Sequence, residues 1–92
     1  MNDETLGKEI KQGRSAEDLL NDPVLTETIN YLKDTYLKAW EQTSVENSVE
    51  REKIWMMYKT LDTVVGHINS YVDTGKLAKQ QLKEMGEQGG LF

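Results

Sequence analysis

The chain has 92 residues, 37% of them apolar, no cysteine and a formal net charge of −5. That size predicts one compact unit with a thin core; the missing cysteines exclude a disulfide framework, and the acidic balance opposes non-specific binding to nucleic acid. No run approaches the roughly 18 apolar residues of a spanning helix, and Asn2, Asp3 and Glu4 stand where a secretory signal carries basic and then apolar residues, so neither membrane insertion nor secretion is expected.

Residues 1–14 mix charge with Gly7 and Gly13 and offer only Leu6 and Ile10 as apolar anchors, which predicts a flexible N-terminal arm. The helical domain is expected over 15–85. Ser15, with Asp18 three residues on, resembles a capping box and predicts a short helix whose Leu19 and Leu20 dock on the body.

Asp22 followed by Pro23 is a strong helix start, since the carboxylate caps free amides and proline lacks an N–H where none is needed. From Pro23 to about Gln42, Leu25, Ile29, Leu32, Tyr36 and Trp40 recur every three or four residues and form one apolar stripe. The run from Thr43 to Ser48 is rich in residues that compete with helical hydrogen bonding, and predicts the loop of a helical hairpin, with Thr43 or Ser44 capping the second arm.

That second arm is a helix expected from about Ser48 to Thr74, with Gly75 as its C-terminal cap. Ile54, Tyr58, Leu61, Val65, Ile68 and Val72 keep the alternating four-three spacing of a coiled-coil seam. Trp55, Met57, Val64 and Tyr71 widen that seam beyond what one antiparallel partner covers, which predicts contact with a further helix or another chain. In an antiparallel hairpin Trp40 and Trp55 fall together near the loop. A final short helix, 76–85, is expected to present Leu77, Leu82 and Met85, and after it a flexible tail, 86–92, in which Leu91 and Phe92 form an apolar hook on a glycine tether.

Catalytic and metal chemistry find little support. His67 is the single histidine, and its helical neighbours Thr63, Val64, Ser70 and Tyr71 include no carboxylate to activate a nucleophile. One histidine without cysteine cannot build the usual zinc sites, the acids are scattered, and no glycine-rich phosphate loop is present, so no catalytic residue, metal or cofactor is assigned. Lys76, Lys79 and Lys83 share a helix face, but with no aromatic platform they read as a solvated surface and direct nucleic-acid contact is not expected. Acids outnumber bases ten to five over residues 1–46, whereas 47–92 holds six of each, a contrast that suits selection of a partner by charge.

Three blocks carry a resemblance: Leu19-Leu20-Asn21-Asp22-Pro23, Arg51-Glu52-Lys53-Ile54-Trp55, and Thr74-Gly75-Lys76-Leu77-Ala78 with Gln81-Leu82. Over roughly residues 15–85 the chain resembles a family of small helical proteins of tailed phages and prophages, often encoded near virion-assembly genes. The resemblance implies a protein found in the host cytoplasm during infection or in the virion, and it brings no active-site residues.

Together these readings give an all-α fold, a long antiparallel helical hairpin with short flanking helices, oligomeric or bound to a larger assembly. The expected function is non-enzymatic protein–protein interaction as a virion structural or assembly component, with this chain itself or other virion proteins as partner. The alternative is an acidic inhibitor of a host enzyme or defence complex. Tyr31, Trp40, Trp55, Met57, Tyr58, Val64, Leu91 and Phe92 are the expected contact residues, because aromatic and methionine side chains dominate interface cores.

Overall fold

The computed structural model describes residues 3–89, the last three as backbone alone. Three helices account for the described residues apart from short connections, and no strand occurs among them: α1 (Asp3–Leu20), α2 (Pro23–Glu41) and α3 (Ser48–Gly89). The all-α expectation holds, and so does the pairing of Trp40 with Trp55. The chain divides into two compact units where one was expected. One contains α1 and the part of α3 from His67 onward, the other Asn21–Gly66.

The first unit corrects the N-terminal reading. Residues 3–14, expected as a flexible arm, belong to an 18-residue helix that passes through Gly7, Gly13 and Ser15 without a break. Asp3 and Glu4 lie in its first turn, where acidic side chains favour the positive end of the helix dipole. Leu6, Gly13 and Ala16 are buried, and Ile10 and Leu20 are half-buried, so the helix carries its own stripe at three- and four-residue spacing. The stripe escapes sequence reading because one of its members is a glycine, which has no hydrophobic side chain.

At that glycine α1 comes into backbone contact with α3. A Cβ on Gly13 would stand 2.9 Å from the Gly75 Cα and 3.0 Å from the Tyr71 carbonyl oxygen; one on Gly75 would stand 2.9 Å from the Gly13 Cα and 3.0 Å from the Glu9 carbonyl oxygen. The two backbones touch, and only glycine at both positions permits it. Gly75 is therefore an interior residue of α3 and not the expected helix cap. The separate helix over 76–85 is the continuation of α3, which runs to Gly89. Residues 86–89 of the expected tail are thus helical, while Leu91 and Phe92 lie outside the described residues. Val72 and Ala78 complete the buried core here, and Leu19, Ala16, Ile68 and Tyr71 line one side of the crossing, so α1 runs antiparallel to the part of α3 from His67 onward.

In the second unit Asp22 caps α2 as the sequence indicates. Its carboxylate accepts from the amides of Val24 at 2.8 Å and Leu25 at 3.1 Å, ahead of Pro23 in the first turn. At the far end the Thr43 hydroxyl donates to the Trp40 carbonyl at 2.6 Å. The cap of α3 is Asn47, not Thr43 or Ser44: its side chain donates to the Glu50 carboxylate at 2.6 Å and accepts from the Glu50 amide at 3.4 Å. Ile54 is buried and Leu25, Ile29, Leu32, Tyr36, Tyr58, Leu61 and Val65 are half-buried along the seam, while no residue of α2 is fully buried.

The glycines supply opposing tests of this packing. Gly66 has nothing within 4 Å of where a Cβ would stand, so Gly66→Ala is expected to stabilise by about 0.5–1 kcal/mol through helix propensity. Gly75→Ala meets backbone and is expected to destabilise by about 1–3 kcal/mol despite the same gain in propensity. Thermal unfolding followed by circular dichroism checks both signs; a stabilised Gly75→Ala would refute the close crossing.

Candidate protein-binding flank of the hairpin

The register of the second unit is fixed by two cross-helix contacts. The Lys33 ammonium pairs with the Asp62 carboxylate, and the Trp40 and Trp55 rings lie 6.5 Å apart between centroids. The four-three spacing of the α2 seam continues from Tyr36 to half-buried Ala39, so Trp40, expected on the stripe, lies beside it, and all four residues stand one position after a seam residue: Leu32, Ala39, Leu61 and Ile54. Antiparallel helices bring such positions together on one flank, and the residues one position before the seam together on the other.

The first flank is charged and aromatic. Trp55 lies parallel to Tyr58 with centroids 5.4 Å apart, the Arg51 guanidinium sits 4.0 Å from the centre of the Trp40 ring, and Lys59 and Lys33 lie 5.3 and 5.6 Å from the Trp55 and Tyr58 rings. Arg51 also donates to the Thr43 hydroxyl at 2.9 Å and the Thr43 carbonyl at 3.3 Å, joining the start of α3 to the end of α2. Trp40, Arg51, Glu52 and Trp55 line a shallow groove at this end. Trp40, Trp55 and Tyr58 thus already have neighbours within the chain, although Trp55 stays 44% exposed.

The second flank differs in kind. Thr28 and Thr35 of α2 face the side of Met57 and Val64 of α3, with Val24, Tyr31 and Thr60 just outside them. From Val24 to Thr35 and from Met57 to Val64 these columns contain no charged residue, in a chain that is 29% charged. Tyr31 is 65% exposed, Val64 46% and Met57 43%. The same register sets Tyr31 level with Val64 and Thr35 level with Thr60.

Two of the threonines here are less polar than their type suggests. The Thr35 hydroxyl donates to the Tyr31 carbonyl and the Thr60 hydroxyl to the Met56 carbonyl, each at 2.8 Å, so both satisfy themselves on their own helix. Burying such a hydroxyl strands no donor, and desolvation of an unmatched hydroxyl is what makes polar surface expensive to cover. The flank is chemically suited to being covered by protein. Sequence reasoning names Tyr31, Met57 and Val64 but misses Val24, Thr28, Thr35 and Thr60, because their grouping emerges only once two helices share a register.

His67 lies in the other unit, with its Nε2 3.3 Å from the Tyr71 hydroxyl and its ring edge-on to the tyrosine. Among the described residues no third side chain joins them to make a nucleophile or a base. Among the described residues no set of three or more His, Asp or Glu side chains is gathered to hold a metal ion, and no helix is long and apolar enough to cross a membrane. Of the lysines at 76, 79 and 83, the first two line a groove beside the glycine crossing with Arg14 and Glu17.

The Lys33–Asp62 pair gives the hairpin a pH dependence. Hydrogen bonding to Lys33 holds the Asp62 carboxyl below the usual carboxylate range, with Lys59 adding to the effect, and the bond to Asp62 raises Lys33. The contribution of Asp62 is present above the unfolded carboxylate pKa and is lost as pH falls through the lowered value. That of Lys33 is present below the unfolded lysine pKa and is lost as pH rises through the raised value. Both act at neutral pH. The difference in melting temperature between wild type and Asp62→Asn is expected to be largest near neutrality and to shrink in acid; a difference independent of pH would assign it to packing. No known protein family, curated protein or solved structure matches the chain.

Proposed function

We propose that this chain is a non-enzymatic phage protein that works by protein–protein interaction, as a virion structural or assembly component. The observation that carries the interaction reading is the uncharged flank of the second unit. Tyr31, Met57 and Val64 stand exposed there beside Thr35 and Thr60, whose hydroxyls need no outside partner. Interface cores are enriched in aromatic and methionine side chains and depleted in charge, and this is the composition the flank presents. The phage and virion setting rests on the resemblance of the Asp22-Pro23, Trp55 and Gly75 blocks.

The rival reading, an acidic inhibitor seated in a basic groove of a host enzyme or defence complex, draws on the acid excess of residues 1–46. The two readings differ in their response to salt. Contact through an uncharged flank tolerates an increase from about 0.1 M to 1 M, over which the screening length falls from roughly 10 Å to 3 Å, whereas contact through acidic surface weakens sharply.

A photo-crosslinking residue placed at Val64 in the full chain, in cells where its partners are present, is expected to form discrete adducts that persist at high salt. The same residue at Asn30, which is exposed on α2 away from the flank, is expected to form none. Equal labelling from both positions, or adducts that disappear at high salt, would count against the uncharged flank as the interface.

A further inference from the structure

We propose that the groove beside the Gly13–Gly75 crossing is a binding site for a phosphate dianion, held by Arg14, Lys76 and Lys79. The site lies in the unit of α1 and is independent of the uncharged flank, so the two readings succeed or fail separately.

The crossing itself makes the groove. Because the backbones of α1 and α3 touch at the two glycines, the residues one position after them are drawn level across the contact. Those residues are Arg14 and Lys76, and antiparallel helices set such positions on the same side. Lys79 follows Lys76 by three residues and shares its face. Together with Ile10, Glu17, Val72 and the glycines they line a concavity of about 210 Å³. Three cations from two helices thus share one groove with a single carboxylate.

That carboxylate leaves the cations unpaired. The register about the glycines sets Glu17 level with Val72 at one end of the groove and Lys79 level with Ile10 at the other, with Arg14 and Lys76 between them. Among the described residues the ion pairs join Lys33 and Lys59 to Asp62 and Lys38 to Asp34, and none takes up Arg14, Lys76, Lys79 or Glu17. In the other unit Lys33, Arg51 and Lys59 also lie over aromatic rings, whereas no ring lines this groove. The helix contact therefore gathers like charges that nothing in the chain neutralises, and a field of this kind attracts an anion.

The lining selects which anion. A guanidinium offers parallel N–H donors to two oxygens of a phosphate group, and the ammonium groups add point charges beside it. With Glu17 counted against the three cations the groove carries a net charge of +2. A phosphate monoester supplies roughly −1.5 to −2 near neutral pH, which matches it. A nucleic-acid backbone does not, since its charge extends far beyond three side chains and meets a protein of net charge −5.

The test is titration of the full chain with inorganic phosphate and, separately, with phosphoserine, each against sodium chloride at matched ionic strength and followed by backbone amide NMR shifts. Saturable shifts centred on residues 10–17 and 72–79 are expected, with dissociation constants of about 0.1–10 mM. Tighter binding of phosphoserine assigns the site to an esterified phosphate, and tighter binding of inorganic phosphate assigns it to the free anion. Arg14→Gln and Lys76→Gln are each expected to weaken binding by about tenfold or more. Both side chains are exposed, so helix content by circular dichroism is expected to stay unchanged. Lys8→Gln removes the same charge from another face of α1 and is expected to leave binding as it is. Phosphate is also expected to raise the melting temperature of wild type above that in matched chloride, and to lose this effect in Arg14→Gln. Shifts equal to those with chloride, shifts that fail to saturate, or binding that survives both glutamine variants would overturn the proposal.

Discussion

Antiparallel register is the constraint on which the layout of the second unit depends. Once Lys33 meets Asp62 and Trp40 meets Trp55, every other residue of α2 and α3 between Asn21 and Gly66 is assigned to a seam, a flank or the outer surface. The assignment is uneven. One flank collects Lys33, Arg51, Lys59, Asp62 and the stacked rings, and its members hold one another. The other collects side chains that neither attract nor repel by charge, and the single chain leaves them in water.

The two units solve a shortage of core by different means. Among the described residues buried apolar side chains are few, namely Leu6, Ala16, Ile54, Val72 and Ala78, and four of these belong to the unit of α1. There the helices come together by removing side chains altogether, with glycine on glycine and alanines on both helices, so dispersion contacts between backbones replace the usual interdigitation. Between α2 and α3 the seam is only half-covered. Aromatic stacking and cations over rings strengthen one edge of it, and such contacts are worth about 0.5–1.5 kcal/mol each.

Much of this is legible in the sequence because it is written in apolar spacing and in local hydrogen-bonding chemistry. The stripe of α2, the seam from Ile54 to Val72, the Asp22-Pro23 start and the meeting of the tryptophans all obey that code. The largest errors concern glycine. Gly13 and Gly75 look like breaks because glycine lowers helix propensity and favours caps, yet here a tertiary contact that only glycine allows outweighs the local preference. Taking Gly13 for a break reduces α1 to its last turns and makes the region before it look like a mobile arm. Of the contact residues, Tyr31, Met57 and Val64 are visible as surplus apolar side chains. Thr35 and Thr60 beside them are not, since only their rotamers show that the hydroxyls are already satisfied.

The mutual crossing of Gly13 and Gly75 has a consequence for how this chain can vary. At most packed positions a larger residue on one side is accommodated by a smaller one opposite, and the pair drifts together over time. Here neither residue has anything left to surrender. Each position is locked independently, no compensating exchange exists, and the only relief is for α1 to leave its seat. Relatives that keep this helix pairing should therefore keep both glycines, while those that lose one should pack the N-terminal helix elsewhere.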